Sequence, residues 1–488
     1  MGATSMSKVR GQIVKPDKSG WKLISDDEAM VVDKSVAIYD VMRDECGDVI
    51  AGLYPPRMGK TTFLDLLKDF LAVVSDAPYG ERRSKHFGRY TVFKLDLKDL
   101  LTGGEDVDVG AHDRRVIMEN VRRYTREITR TIKSFEILEG LKETKDDHLE
   151  TIYPLLPELM EVFFRLFGRK SVLLVDDYDA PLVEAHCGIA DVALRNRIVD
   201  IYTSFLSECL KDNNYLEKGV LVDVFDIKCA GMGSGLNNVQ YYLAHTGIAD
   251  TGEADHPFQR AFGFTGQDVG CLINHCIDAT WKPCPEDNSS AKTRLKVHVF
   301  AGLLHHFNLY RIGNAPCIFC PYVVMEFFQK LGSVREPKDV HFEGFSSWAE
   351  SGNLQMINTI TEDSINNLKH YINNINVLFH RRFKVQLSID ALVEKHTVDT
   401  FDDDVINKMI HEQCMPSPFQ VEHTAGAEIA SICMFDPFSL SNDLVFSKHI
   451  SSRTALKLLY QAGYLAPVAR NEVAIPSIEV LQDQLHGF

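Results

Sequence analysis

Four short apolar runs in the first half of the chain, residues 49–53, 91–95, 172–175 and 220–225, constrain its fold more than any other feature. Long helical patterns separate them, among them 113–133, 152–167 and 194–211. Apolar runs of strand length that alternate with helices argue for a parallel sheet with both faces covered. The stretch 29–260 is therefore expected to be an α/β domain built on a parallel sheet. Residues 1–28 read as an irregular arm.

The pattern changes after residue 260. From Thr265 to about Leu331 the chain reads as mostly helical, and Thr265 and Asp268 are placed to cap the first helix reciprocally. This stretch, 261–362, is expected to form a helical lid domain. The remainder, 363–488, reads as helices and one final hairpin. A helical pattern over 452–462 is stopped by Gly463, and short strands at 464–465 and 473–475 flank a turn holding Asn471. A helix followed by a small two-stranded wing suggests a winged-helix-like ending. With 488 residues, roughly three domains fit the length.

Within the first domain, residues 48–62 read DVIAGLYPPRMGKTT. A strand runs into a loop, and Gly59-Lys60-Thr61 opens a helix, expected over 61–70. This is the setting a Walker A sequence requires, because a helix N-terminus aims unpaired N–H groups and partial positive charge at phosphate oxygens. Lys60 would reach the β- and γ-phosphates, and the Thr61 hydroxyl would ligate Mg2+. The full pattern has glycine where Tyr54 stands, and Pro55 and Pro56 have no N–H to donate. The cradle then rests on the amides of Arg57, Met58, Gly59, Lys60 and Thr61, with Thr62 following in the first turn.

Residues 171–181 read SVLLVDDYDAP, an apolar strand ending in two acids. This is a Walker B pattern. If the strand ends beside the phosphate loop, Asp176 can hold Mg2+ through water. Asp177 is then the candidate general base that orients the attacking water. Most ATPases place a glutamate there, and the aspartate is shorter by about 1.5 Å, one C–C bond.

With these two motifs in hand, the chain resembles the AAA-ATPase-like family of P-loop proteins. Val32-Asp33-Lys34-Ser35 resembles the family's opening Val-Asp-Lys-Thr, and Pro55-Pro56-Arg57-Met58-Gly59-Lys60-Thr61 its phosphate loop. Val175-Asp176-Asp177-Tyr178-Asp179 is similar to its Ile-Asp-Glu-Tyr-Asp. Ser234-Gly235-Leu236-Asn237-Asn238, the run from Gly263 to Val269, Gly463-Tyr464-Leu465-Ala466 and Ile475-Pro476-Ser477 follow in the family's order. The resemblance implies ATP and Mg2+ as ligands, and a phosphate loop that does without the first glycine. Two departures bear on turnover. Where the family reads Leu-Thr-Gly-Val-Leu-Arg-Ile, this chain reads Leu221-Val222-Asp223-Val224-Phe225-Asp226-Ile227, so Val222 and Asp226 replace the threonine and arginine. Bacterial relatives also often continue into a PD-(D/E)xK nuclease-like domain. Glu143-Thr144-Lys145 matches E-x-K by letter, but it lies before the Walker B strand, in a charged stretch unlike a nuclease site.

Composition narrows the partners. The net charge of −16, from 52 basic and 68 acidic residues, disfavours non-specific nucleic-acid binding, which needs a basic surface. The cluster Arg82, Arg83, Lys85 and Arg89 is the one local exception, and it reads first as a solvated loop. No apolar run is long enough to span a membrane. Eleven scattered cysteines and no apolar signal core at the N-terminus point to an intracellular protein of the cytoplasm or nucleus. Cys317 and Cys320 form a single CxxC pair, with Cys271, Cys276, Cys284, His305 and His306 around it; two apolar residues between the cysteines favour buried thiols over zinc. His370, His380 and His449 stand alone. The glycine-rich run Gly231 to Gly235 reads as a mobile turn.

The sequence thus leads to an ATP-binding nucleotide-dependent switch with slow or absent hydrolysis and an unidentified protein partner. Two alternatives stand beside it. One is an active ATPase that remodels a protein or nucleic-acid partner. The other is a pseudo-ATPase interaction scaffold. Oligomeric state is open.

Overall fold

The computed structural model describes residues 9–10, 31–72, 85–97, 155–183, 192–225, 236–244, 256–280, 289–307, 310–312, 315–331, 339–342, 388–396, 400–414, 452–469 and 472–474. The expected helix 113–133, Arg82, Arg83, Glu143-Thr144-Lys145, Asp226, the run Gly231 to Gly235, Cys284, Asn471, the three lone histidines and Ile475-Pro476-Ser477 lie outside the described residues.

A short pair of strands, β1 (Val9–Arg10) and β2 (Val31–Val32), leads into helix α1 (Ala37–Val41). The α/β core follows: β3 (Val49–Leu53), α2 (Lys60–Leu71), β4 (Thr91–Asp96), α3 (Leu155–Phe167), β5 (Ser171–Asp176), α4 (Val192–Leu210), β6 (Leu216–Asp223) and β7 (Val239–Leu243). The five strands form one parallel sheet in the order β4-β5-β6-β3-β7. Every residue of β3 and β5 is buried, as expected for strands covered on both faces. α2 packs against β4, β5 and β6, while α3 packs on β5 and α4 on β6. The four apolar runs all became strands. β7 is the addition: Val239 is buried but the rest of this edge strand is partly open, so Val-Gln-Tyr-Tyr-Leu has no apolar run to announce it.

The Walker B strand β5 does not neighbour β3, because β6 lies between them. Its acids approach the phosphate loop across the end of β6 rather than from an adjoining strand. β3 ends between β6 and β7, and the chain leaves it for β4, three places away. In such sheets ligands sit at the carboxyl ends of strands where connections diverge.

The stretch after Thr265 is less helical than its periodicity predicts. Strand β8 (Phe264–Thr265) precedes α5 (Gly266–Thr280) and α6 (Ser289–Phe307); then β9 (Tyr310–Ile312), β10 (Ala315–Phe319) and α7 (Pro321–Leu331) follow. The three strands form an antiparallel sheet in the order β8-β10-β9. Periodicity cannot separate a five-residue apolar run from a buried helix segment, which is how β10 was missed. The cap at Thr265 forms as expected: its N–H donates to Asp268 Oδ2 at 2.8 Å, and the Asp268 N–H returns to Thr265 Oγ1 at 3.2 Å. Asp268 also accepts from Lys34 Nζ at 2.7 Å, tying the N-terminal Val-Asp-Lys-Ser stretch to this helix start.

Helices α8 (Ile389–Lys395) and α9 (Asp403–Cys414) pack against α6, and α9 also against α5. Helix α10 (Ser452–Gln461) ends at Gly463, whose φ of +85° favours glycine. The N–H groups of Tyr464 and Leu465 both turn back to the Leu459 carbonyl. That capping use explains why the final hairpin starts later than expected, as β11 (Ala466–Ala469) paired antiparallel with β12 (Glu472–Ala474).

Candidate functional site

The loop between β3 and α2 begins with Tyr54, which is fully buried. Its N–H donates to the Asp223 carbonyl at 2.8 Å, carrying the β3–β6 pairing one residue further. Its ring meets Phe262 edge-on with centroids 4.6 Å apart, and its hydroxyl lies 3.0 Å from His256 Nε2. Burial lowers the His256 pKa to about 4, so the imidazole is neutral there. The tyrosine therefore fills a pocket that a glycine would leave empty, and it anchors the loop from behind.

Two prolines then restrict the chain, and Arg57 takes a left-handed conformation with φ of +63°. Gly59 follows at +91°; a Cβ there would meet nothing, so the need for glycine is conformational. Helix α2 begins at Lys60, and no side chain caps its start. Such an uncapped end leaves first-turn N–H groups for an anion. Of the residues the sequence singled out, Arg57, Thr61 and Thr62 are exposed and Gly59 is half-buried, whereas the Met58 side chain is buried.

Lys60 is buried, and its Nζ donates to the carbonyls of Tyr54 at 2.8 Å and Pro55 at 2.9 Å. Burial lowers its pKa, and the carboxyl groups of Asp223, Asp177, Asp176 and Asp179 act against that shift. The lysine thus rests on the loop's own carbonyls, which a phosphate oxygen can replace as a charge-assisted acceptor.

Asp176 closes β5 and is 2% exposed. It is hydrogen-bonded with the Thr61 side chain, which brings the two expected metal ligands together. Its Oδ2 is buried with no hydrogen-bond partner. Burial, reinforced by Asp177, pushes its pKa up to about 7, against the Thr61 hydrogen bond and Lys94. A buried carboxylate oxygen without a partner is costly, and a cation bound there would satisfy it. The donor set is one carboxylate and one hydroxyl. Mg2+ is commonly held by one or two carboxylates with substrate phosphates and water, so these residues fit it. Asp177, the candidate base, is half-buried and adopts φ of +48°.

Three groups escaped the sequence reading. The carboxyl groups of Asp179 and Asp223 are both buried and meet behind the acidic turn. The signal for Asp223 was an acid at the end of an apolar strand, the same signal that exposed Asp176. The third is a set of contacts on the loop from the second half of the chain. The Gly263 N–H donates to the Met58 carbonyl at 2.9 Å. The Cys320 thiol donates to the Arg57 carbonyl at 3.6 Å, and the Arg57 guanidinium lies 4.8 Å from the Tyr322 ring centroid. Gly463 packs on Pro55 so closely that a Cβ would lie 2.7 Å from the Pro55 Cβ. Its carbonyl accepts from the Tyr310 hydroxyl at 3.1 Å. No spacing rule links positions this far apart in sequence. Cys317 and Cys320 are buried and take part in no disulfide. Among the described residues, no group of three or more His, Cys, Asp and Glu is arranged as an ion site of its own.

A parallel α/β sheet with a Gly-Lys-Thr loop at its carboxyl edge and strand-end acids nearby defines the class as a P-loop-like core. Residues 19–232 match the AAA-ATPase_like family, described as a predicted AAA-ATPase, and over that segment the chain is similar to this family. No curated protein matches the chain. Among the described residues, no helix is long and apolar enough to cross a membrane.

Proposed function

We propose that this chain binds ATP with Mg2+ and acts as a nucleotide-dependent conformational switch with slow hydrolysis. The observation that carries the reading is the unpartnered Asp176 Oδ2 beside Thr61, at the uncapped start of α2. The amides of Arg57, Met58, Gly59, Lys60, Thr61 and Thr62 form the phosphate cradle. Lys60 leaves the carbonyls of Tyr54 and Pro55 for the β- and γ-phosphates. Thr61 and Asp176 would hold Mg2+, which would supply charge neutralisation at the phosphates.

Asp177 orients the attacking water as general base. Its shorter side chain is poorly matched to that task, and water alignment is sensitive to small displacements. Val222 is a buried apolar side chain on β6, where a polar group would be needed to sense the γ-phosphate. Both features favour binding over turnover.

The reading divides the chain into the arm 1–28, the P-loop domain 29–260, a helical lid 261–362 and a winged-helix-like end 363–488. The contacts of Gly263, Cys320, Tyr322 and Gly463 on the phosphate loop support a lid and tail that respond to nucleotide. A ligand shifts such an arrangement only by its difference in affinity for the two states. The partner is a protein rather than nucleic acid, in keeping with the acidic charge, and the setting is intracellular.

Calorimetry with ATP, with and without Mg2+, and a turnover assay test the reading. Expected are Mg2+-dependent binding and turnover below about 1 s⁻¹, under the ordinary enzyme range. Absence of ATP binding would remove the function proposed; fast turnover would replace the switch with an active ATPase.

A further inference from the structure

The proposed site uses Asp176, Asp177 and Lys60 but leaves unused two deeply buried acids beside it. Asp223 is 1% exposed and Asp179 5%. Their carboxyl groups are hydrogen-bonded to each other. Two carboxylate oxygens can share such a bond only if one carries a proton. Three main-chain donors also bond the pair. The Asp179 N–H donates to Asp223 Oδ2 at 2.8 Å, the Val224 N–H to Asp223 Oδ1 at 2.7 Å and the Phe225 N–H to Asp179 Oδ2 at 2.9 Å. Tyr178 reinforces the junction by donating its hydroxyl to the Phe225 carbonyl, and it receives the Tyr202 hydroxyl on its own carbonyl.

Asp223 also acts through its backbone, because its carbonyl accepts the N–H of Tyr54, the first residue of the phosphate loop. One residue therefore grips the loop with its main chain and the acidic turn with its side chain. That turn needs a grip, since Asp177 holds a left-handed φ that an aspartate adopts at some cost. β6 stands between β3 and β5, so its end is the place from which both can be held.

We infer that Asp223 is a positioning residue: joined to Asp179 by one shared proton, it holds the acidic turn 176–179 in register with the phosphate loop. Burial, then the neighbouring Asp179, raise the Asp223 pKa well above the carboxylate range. Burial raises Asp179 only to about 6, because Asp223 and the Phe225 N–H donate to it. The charged groups facing the pair are Asp177 on the same turn and Lys60 from α2. Loss of the shared proton sets two like charges together and adds a negative charge beside Lys60. Both effects oppose phosphate binding.

The nucleotide arm of the test rests on the function proposed above. MgATP affinity is measured from about pH 6 to about pH 9 for wild type, Asp223→Asn and Asp223→Ala, using a non-hydrolysable analogue. An asparagine can donate to Asp179 as the protonated acid does, and it cannot ionise. Wild-type affinity should fall on the alkaline side. Asp223→Asn should bind within about twofold of wild type near neutrality and lose only the alkaline fall, while Asp223→Ala should lose on the order of tenfold throughout. Superimposable wild-type and Asp223→Asn profiles overturn the proposal, as does an asparagine variant weaker than the alanine one. If the alanine variant does not fold, the asparagine profile decides alone. A nucleotide-free arm separates the pair from the function. Infrared spectra at about pH 8, above the values of Asp176 and Asp179, should show a protonated carboxyl band in wild type that Asp223→Asn removes. Its absence refutes the shared proton whether or not nucleotide binds. A wild type that shows the band but never binds nucleotide overturns the proposed function and, with it, the positioning role.

Discussion

Replacing Asp176 by asparagine should stabilise this protein and disable it together. The carboxyl is 2% exposed, and its pKa rises from 3.8 to about 7 on folding, mainly through burial. An acid with a raised folded value favours the fold fully below its unfolded value, and that contribution is lost as pH rises through the folded value. Between about pH 4 and about pH 7 the loss amounts to about 4 kcal/mol, as an upper figure. Asparagine keeps the shape and the capacity to bond Thr61 but has no charge to desolvate. Denaturant midpoints should therefore coincide at about pH 4 and separate progressively in favour of Asp176→Asn up to about pH 8. The variant will not be wholly flat with pH, because Asp179 and Asp223 carry raised values of the same sign. In the same samples, Mg2+ should raise ATP affinity in wild type and not in the variant. Such a trade of stability for function is common where a site is built to hold a charged ligand. Parallel pH dependences for the two proteins would refute the claim that Asp176 is desolvated, and an intact Mg2+ effect would refute its place at the metal.

Lys60→Ala removes one charge-assisted phosphate contact, worth about 1.5–3 kcal/mol, so ATP affinity by calorimetry should fall by at least about tenfold; equal affinities would exclude the lysine from the site. Gly463→Ala places a Cβ 2.7 Å from that of Pro55 at a φ of +85°. Left-handed strain and overpacking together cost about 2–5 kcal/mol, and ATP affinity should drop although residue 463 lies far outside the family segment; unchanged stability and affinity would remove the tail from the phosphate loop. Hydrogen exchange should show greater protection of residues 263–335, and of 452–476 if the tail closes, with MgATP than with MgADP. Identical profiles would leave a binding protein without a switch and bring the scaffold reading forward.

The parallel core was legible in advance because burial on both faces leaves unbroken apolar runs, as in β3 and β5, while β4 and β6 keep shorter apolar stretches beside Lys94 and Lys218. That Lys60, Thr61 and Asp176 come together was legible because a strand–loop–helix junction and an acidic strand end are local patterns. Strand order was not, since nothing local to β5 reveals that β6 separates it from β3. Neither was the Asp179–Asp223 pair, where two acids 44 positions apart meet only because β5 and β6 are adjacent. The tyrosine at 54 looked like a defect in the loop until His256, Phe258 and Phe262 closed around it. The sequence by itself determined which segments form buried strands and which residue types can meet a phosphate and a cation. Only the tertiary structure decided which carboxyl groups lose water, share a proton or lack a partner, because those properties depend on packing between segments distant along the chain.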